Sequence, residues 1–376
     1  MTDKATRCIH AGTLPDHETG GVNSPLYPSS AINYLDGEDI FYPRYFNTAN
    51  QRAVVDKLCA LEDAEDGVLF SSGMAAISTA ILAFAGRGDH VVLMEELYGG
   101  TRNLAANVLP RLGIDCSLVA ADAGAIAAAL GESTRVLVIE SPTNPLLSVV
   151  DIRAVAALAR ERGIVSIIDN TFASPVNQNP LQLGMDIVVH SATKYLGGHS
   201  DLCAGVALTS AERAGRIRDL ASCLGGSVNT LTCYLLERSL KTLAVRVARQ
   251  TANAGAMAEF LAGHPAVRRV YYPGLPDFPG HDIARDQMHG FGAMLSFDLD
   301  ETRVDADTFI RRLQLITPAI SLGGVESTIC SPARTSHQKL SAVERANIGI
   351  GDGLLRLSAG IEHRDDLLDD LAAALG

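Results

Sequence analysis

The stretch DIVVHSATKYLGGHSD, residues 186–201, begins as a short apolar run and continues as a polar loop that contains a glycine pair. This pattern predicts a buried strand that ends near residue 190 and opens into a loop carrying Lys194. Taken alone, the segment favours an ordinary strand-end lysine with its amine in water. The competing interpretation is a lysine of lowered pKa that forms a Schiff base with a carbonyl cofactor.

Apolar runs rich in Val, Ile and Leu alternate with helical patterns on both sides of this stretch. The runs are residues 91–94, 135–140, 164–169, 186–190 and 205–209. Continuous apolar strands separated by helices predict an α/β fold with a mainly parallel central sheet, covered on both faces. Ligands of such sheets bind beyond the carboxyl ends of the strands.

Polar residues follow four of these predicted strands, namely Tyr98, Asn144, Asp169 and Lys194. Since parallel strands end at the same edge of a sheet, we expect the four side chains to share one site. The Asp169 carboxylate ends an apolar run and needs a cation or a hydrogen-bond donor. A protonated pyridine nitrogen and an arginine in a structural ion pair both satisfy that need.

Two further segments are candidates for binding an anion. Residues 68–85 predict a strand, a turn of small residues and a helix, whose first N–H groups suit a phosphate. A tight turn also needs small residues for steric reasons alone. In FYPRYFNTANQ, residues 41–51, Arg44 stands among aromatic residues. It is either an anion-binding residue or a surface arginine packed on those rings.

The chain divides by pattern into three parts. Residues 1–45 lack a sustained period and predict an extended arm that lies on the main domain or on a neighbouring subunit. Residues 46–240 form the predicted α/β domain, and residues 241–376 form a smaller α+β C-terminal domain. Within the latter, Arg356 lies in an apolar strand, where an unpaired guanidinium is costly. We therefore expect it to meet a carboxylate, either of a substrate or of the protein itself.

Composition limits the classes of partner. The formal net charge of −12 over 376 residues disfavours nucleic acid and anionic membrane surfaces, and leaves a small molecule as the expected partner. No signal-peptide pattern opens the chain, and its most apolar stretch, residues 75–86, is too short to cross a bilayer. We expect a cytoplasmic protein. The seven cysteines are scattered, which indicates neither a disulfide framework nor a metal site.

Several motifs, in chain order, resemble one known family. They are SSGM, LYGGT, ESPTNP, IIDNTFASP, SATKYLGGHSD, SLGGVES and LRLSAGIE. They resemble the pyridoxal 5'-phosphate (PLP) enzymes of cysteine and methionine metabolism, the cystathionine γ-synthase, β-lyase and γ-lyase group. The resemblance implies the PLP-dependent transferase (aspartate aminotransferase-like) fold, with PLP bound by residues 46–240.

By matching position, the resemblance also implies roles around the cofactor ring. Lys194 looks like the Schiff-base lysine, and Asp169 looks like the partner of the pyridinium nitrogen. Tyr98 is similar to the tyrosine that stacks on the ring and assists proton transfer. These three residues are the expected catalytic residues.

The cofactor phosphate has its own set of matching residues. The resemblance implies that the backbone N–H groups of Gly73 and Met74 bind it, together with the hydroxyls of Ser191 and Thr193.

The remaining matches concern the substrate and the neighbouring subunit. Asn144 would lie near the ring hydroxyl and the substrate, while Arg356 and Ser321 would hold the substrate carboxylate. In the family, Tyr42 and Arg44 reach the phosphate of a neighbouring subunit, and Tyr42 also borders the substrate. The resemblance thus implies a dimer with shared active sites, usually paired into a homotetramer.

The chain departs from the family pattern at Pro43, Phe46, Gly100, Asn103 and Ile320. Methionine γ-lyases typically have cysteine in place of Gly100, and γ-synthases and γ-lyases commonly have glutamate in place of Ile320. These changes weaken recognition of a second charged amino-acid group. The function expected is therefore a carbon–sulfur lyase acting at Cβ or Cγ, with a γ-replacement transferase second. A non-catalytic binding protein of the same fold is the third hypothesis.

Overall fold

The chain folds around two β-sheets, one of seven strands and one of five, in a computed structural model. The structure describes residues 2–35, 40–335, 341, 345 and 348–376. The larger sheet contains β1 (Asp66–Phe70), β2 (His90–Met94), β3 (Asp115–Val119), β4 (Thr134–Glu140), β5 (Val165–Asp169), β6 (Ile187–Ser191) and β7 (Gly205–Thr209). The smaller sheet contains β8 (Val267–Tyr271), β9 (Met294–Leu299), β10 (Thr317–Pro318), β11 (Thr328–Cys330) and β12 (Leu354–Ser358).

Helices cover both sheets. The first seven are α1 (Lys4–His10), α2 (Ala49–Glu62), α3 (Gly73–Phe84), α4 (Gly99–Asn107), α5 (Ala123–Ala129), α6 (Ile152–Glu161) and α7 (Ser174–Asn177). The further helices among the described ranges are α8 (Ala211–Leu224), α9 (Thr230–Leu240), α10 (Leu243–Ala262), α11 (His281–Gln287), α12 (Ala306–Arg312) and α13 (Arg364–Leu375).

The larger sheet has the strand order β1-β7-β6-β5-β4-β2-β3, and the prediction of a mainly parallel sheet is confirmed. β3, β2, β4, β5 and β6 run parallel to one another. β7 is the exception, because it runs antiparallel to both β6 and β1. The four strands that carry polar residues at their ends are direct neighbours, so those ends meet at one edge.

The smaller sheet, of order β10-β11-β12-β9-β8, is mostly antiparallel, which agrees with the expected α+β pattern. Three strands lie outside the sequence prediction. β3 is an edge strand with exposed positions, and β10 and β11 span only two or three residues. Such short or half-exposed strands have little apolar periodicity, so the sequence gives them no clear signal.

The predicted extended arm begins with a helix, because residues 4–10 form α1. Asp3 caps this helix by accepting a hydrogen bond from the Ala5 N–H, at 2.8 Å. Cys8 is completely buried in the core, and the Lys4 amine donates to the Pro175 carbonyl, at 2.7 Å. Packing against the main body thus stabilises a helix too short to form alone.

We propose that the expected division near residue 240 holds. It is supported by the chain order, since all strands of the larger sheet precede α9 and all strands of the smaller sheet follow α10. Among the described residues, the helices include none with the length and apolar character needed to cross a membrane. The cytoplasmic location stays a prediction.

The junction of β1 with α3 depends on close backbone packing against β7. A Cβ added at Gly205 would lie 2.2 Å from the Ser72 carbonyl oxygen, an overlap that the backbone must move to relieve. Ser72 is the N-cap of α3 and accepts from the Ala75 N–H at 3.1 Å. A side chain at position 205 would therefore displace the start of α3.

We predict that Gly205→Ala lowers the free energy of unfolding by about 1–3 kcal/mol, the usual cost of overpacking. Gly215→Ala in α8 is the matched control, because nothing lies within 4 Å of its added Cβ. There, alanine should stabilise the helix by about 0.5–1 kcal/mol. Urea unfolding of both variants measures the difference, and equal stabilities would contradict the proposed close packing.

Candidate active site

A cavity of about 630 Å³ lies at the carboxyl ends of β2, β4, β5 and β6, and loops of the smaller sheet close its other side. Most of the residues predicted from the sequence line it. They are Gly73, Met74, Tyr98, Asn144, Asp169, Ser191, Thr193, Lys194, Ser321 and Arg356. The four strand-end residues therefore lie in one cavity, as expected.

Lys194 is partly buried in this cavity. Its amine donates a hydrogen bond to the Ser321 hydroxyl, with Nζ and Oγ 2.6 Å apart. Burial lowers the pKa of the amine, and the positive charge of Arg356 lowers it further. Such an amine loses its proton more readily than one in water, which favours the interpretation of a reactive lysine.

Asp169 lies at the end of β5 with its side chain in the cavity. Its Oδ1 accepts from the Thr171 N–H at 3.0 Å and from the Thr171 hydroxyl at 2.5 Å. Burial raises the pKa of Asp169, while the two Thr171 hydrogen bonds oppose that rise. Among the described residues, no arginine or lysine forms an ion pair with it. The carboxylate is thus available to a cationic atom of a ligand.

The start of α3 fits the predicted phosphate cradle. Gly73 and Met74 are its first two residues, so their N–H groups have no partner within the helix. A Cβ at Gly73 would lie 2.8 Å from the Ser191 Cβ, and only glycine allows this close approach. Small size, free N–H groups and the positive end of the helix dipole together suit a phosphate group.

The hydroxyl of Thr193 is already bonded to the backbone of its own loop. It donates to the Ala204 carbonyl at 3.2 Å and accepts from the Ala204 N–H at 3.1 Å. These bonds fix the loop that carries Lys194. The predicted contact between Thr193 and the cofactor phosphate stays a prediction.

Arg356 is buried in β12, and its guanidinium lines the cavity. It donates to Oδ1 of Asn144 at 2.7 Å and to the Ser321 carbonyl at 3.3 Å. Its Nε has no hydrogen-bond partner, and no carboxylate pairs with it in the part of the chain that the structure describes. The carboxylate expected from the sequence is therefore not supplied by these residues.

Tyr42 and Arg44 lie apart from the cavity of their own chain. The Arg44 guanidinium stacks on the rings of Tyr42 and Tyr45, at 5.7 and 5.2 Å, and donates to the Ser222 carbonyl. All three side chains are partly or largely exposed. Their predicted role in the site of a neighbouring subunit stays a prediction.

The positions that depart from the family pattern fall into two groups. Ile320 is 76% exposed at the rim of the cavity, and a Cβ at Gly100 would lie 2.6 Å from the Tyr98 ring. Phe46, which follows the short 3-10 helix containing Pro43, is buried against Phe70. Asn103 is exposed on α4, where it accepts from Asn107. Only Ile320 and Gly100 are therefore placed to affect a ligand in this chain's cavity.

Sequence reasoning missed several residues of the lining, of which Glu140 and Thr171 are the most important. Glu140 ends β4 as Asp169 ends β5, and the two are register partners. The same signal, an acid at the end of an apolar run, could have identified it. Thr171 follows Asp169 by two residues, a spacing at which side chains often bond locally.

We predict that Arg356→Met raises the pKa of Lys194, because it removes the positive charge that lowers it. The pH at which cofactor-free protein takes up PLP should then shift upward, as followed by the visible absorption band. Arg334→Met is the control, since Arg334 lines the same cavity but is exposed and paired with Asp307. An equal shift in both variants would contradict the role given to Arg356.

Comparison with known proteins agrees with this geometry. Residues 5–376 match the family model described as Cys/Met metabolism PLP-dependent enzyme. The chain is 44% identical to the cystathionine gamma-lyase of Bacillus subtilis, over 99% of both chains. It is also 44% identical to the cystathionine gamma-synthase of Mycobacterium bovis, over 100% of this chain and 97% of that one.

A solved structure shows the same fold. The crystal structure of cystathionine gamma-lyase from Lactobacillus plantarum complexed with L-serine has a TM-score of 0.95 and 41% identity. The match covers 99% of this chain and 98% of that one. The predicted fold class and PLP cofactor are thereby confirmed. The chain belongs to the family of Cys/Met metabolism PLP-dependent enzymes.

Proposed function

We propose that this enzyme is a carbon–sulfur lyase, which eliminates a sulfur substituent from Cβ or Cγ of an amino acid such as cystathionine. The observation on which the proposal rests is that Lys194 and Arg356 line the same cavity. The first is an amine of lowered pKa, and the second is a buried cation without a described acidic partner. Relatives named cystathionine lyases, similar over the whole chain, support the same reaction class.

PLP, when bound, supplies an electron sink for the electron pair left at Cα of the substrate. The residues that would hold it are those described above. The N–H groups of Gly73 and Met74 and the Ser191 hydroxyl would bind its phosphate. Asp169 would accept a hydrogen bond from the ring nitrogen and keep that nitrogen protonated, because its own anion is stabilised by Thr171. Tyr98, half exposed at the cavity wall, would cover the ring.

Arg356 is suited to bind the substrate carboxylate. Its contact with Oδ1 of Asn144 fixes the plane of the guanidinium, and Nε remains available as a donor. A fixed guanidinium can bind a carboxylate with two parallel hydrogen bonds. Binding there orients the amino acid, because the carboxylate and the amine are attached to the same carbon.

Lys194 would then act as the general base. Its amine, whose pKa is lowered by burial and by the charge of Arg356, would remove the proton from Cα. The Ser321 hydroxyl, at 2.6 Å, gives the amine a fixed position. Elimination at Cβ then needs no further proton removal, whereas elimination at Cγ needs a second one, at Cβ. The two routes end in different 2-oxo acids.

We predict that purified enzyme converts cystathionine and one water into a thiol amino acid, a 2-oxo acid and ammonia. Pyruvate would identify cleavage at Cβ, and 2-oxobutanoate would identify cleavage at Cγ. Chromatography of the derivatised 2-oxo acids separates them. Lys194→Ala is the control and should lose the visible PLP band together with at least 100-fold of the rate, since it lacks the base.

The same assay tests the second candidate, a γ-replacement transferase, which the similarity to the Mycobacterium gamma-synthase favours. An enzyme that leaves cystathionine intact but joins O-acyl-homoserine to cysteine would contradict the lyase proposal. Formation of neither product would contradict both.

We propose further that the enzyme is a homotetramer, built from dimers with shared active sites. The N-terminal arm supports this because it exposes large apolar side chains, which a subunit interface would cover. Among them are Val22, Tyr34, Leu35 and Ile40, with 65–87% of their surface exposed. Tyr42 and Arg44 follow directly, so an arm placed on a neighbour would bring Arg44 towards that neighbour's cavity.

We predict complementation between two inactive variants, Lys194→Ala and Arg44→Ala. In a mixed dimer, one site receives Lys194 from one chain and Arg44 from the other, so mixing after reversible dissociation should restore part of the activity. Light scattering with size-exclusion chromatography measures the oligomer. No gain of activity in confirmed mixed oligomers would contradict the shared site, and Arg153→Ala, at an exposed position of α6, is the surface control.

A further inference from the structure

We propose that Glu140 is a positioning residue that works as a neutral carboxylic acid, holding Tyr98 and Asn144 at the cavity and leaving Asp169 as its carboxylate anion. Glu140 is the last residue of β4 and the register partner of Asp169 on β5. It is 4% exposed and lines the cavity. Its relation to Asp169 rests on the proposed function, in which Asp169 meets the ring nitrogen.

The position of the two acids argues against a pair of anions. Neighbouring strands lie about 4.8 Å apart, so register partners that line one cavity bring their carboxyl groups close together. Both are buried, and in such surroundings two negative charges repel each other strongly. Asp169 holds the better position for the anion, because the Thr171 hydroxyl bonds to it at 2.5 Å beside the Thr171 N–H, while Glu140 also meets the negative charge of Glu96.

Nearby cations do not compensate Glu140. Within the described ranges, no ion pair includes it, and Glu96 adds a further negative charge on its β2 side. The Lys194 amine bonds to Ser321, and the Arg356 guanidinium bonds to Asn144. On β6, His190 contributes to lowering the pKa of Asp169, and its Nε2 lies 2.7 Å from Glu62. Burial and the charge of Asp169 accordingly raise the pKa of Glu140 well above its ordinary value.

The hydrogen bonds of Glu140 explain what it positions. Its Oε2 accepts from the Tyr98 N–H at 2.8 Å, and its carboxyl group also accepts from the Asn144 N–H. Tyr98 is the N-cap residue of α4, and the Asn144 side chain accepts a hydrogen bond from the Arg356 guanidinium. One buried side chain thus fixes the backbone beneath both cavity residues. A neutral carbonyl oxygen still accepts such bonds, though more weakly than a carboxylate, and the two N–H donors oppose the rise in the Glu140 pKa without outweighing burial and the charge of Asp169.

The first test is the unfolding of cofactor-free protein, which is independent of the lyase chemistry. A carboxyl group whose pKa is raised by folding keeps its proton after the unfolded chain has lost its own. Its contribution to stability is complete below the ordinary glutamate pKa and is lost as pH rises through the folded-state pKa. Glu140→Gln removes that group, so the fall in stability with rising pH should be shallower than in the parent protein.

The second test compares Glu140→Gln with Glu140→Ala in the holoenzyme. Alanine removes both hydrogen bonds and should lower kcat about 10- to 100-fold, as misplaced groups do, while weakening PLP binding. Glutamine keeps a neutral acceptor and should recover most of the loss, with the parent's visible spectrum across pH. If the alanine variant fails to fold, the glutamine variant alone still tests the proposal, because its kcat and spectrum can be compared with those of the parent enzyme.

Two results would overturn the proposal. One is a Glu140→Gln protein whose stability falls with pH as steeply as in the parent protein. The other is a Glu140→Gln holoenzyme as impaired as Glu140→Ala, because the negative charge would then be required. A parent enzyme without lyase activity, but with the shallower pH dependence in Glu140→Gln, would contradict the proposed function and leave this inference standing.

Discussion

The parallel pairing of β2, β4, β5 and β6 is the constraint on which the site depends. Each strand is held to its neighbour by a fixed register, so the last residues of the four strands cannot move independently. Their apolar interiors are buried on both faces, and a one-residue slip would move every buried side chain to the other face. The core therefore fixes the spacing of cavity residues that lie far apart in sequence.

This constraint also explains how much the sequence could predict. The meeting of Tyr98, Asn144, Asp169 and Lys194 follows from strands that are visible as apolar runs. The helix α1 could not be predicted, because its stability comes from a buried Cys8 and a capping Asp3 and not from a periodic pattern. The position of Arg44 relative to a cavity depends on a second chain, which one sequence does not describe. The reversed direction of β7 depends on its pairing with β1, a long-range contact without a local signal.

The cavity brings together ionisable groups whose states would be unfavourable elsewhere in the protein interior. Lys194 has a lowered pKa, Asp169 has no described arginine or lysine partner, and the Arg356 guanidinium has no described acidic one. Each of these states is unfavourable in a protein without ligand, because buried charge is stable only when paired. The extensive apolar cores around both sheets stabilise the fold enough to tolerate it. Binding of a cofactor and an amino acid, which carry the complementary charges, then relieves the cost.

The antiparallel direction of β7 affects which parts of the site mutations can reshape. Because β7 returns antiparallel beside β6, the loop with Lys194 is anchored at both ends to adjacent strands of one sheet. The segments after β2 and β4 instead lead away into helices and surface loops. Mutations that reshape those segments can therefore alter which leaving group is accepted while the lysine keeps its place. Within one scaffold, substrate preference can diverge without rebuilding the loop that carries Lys194.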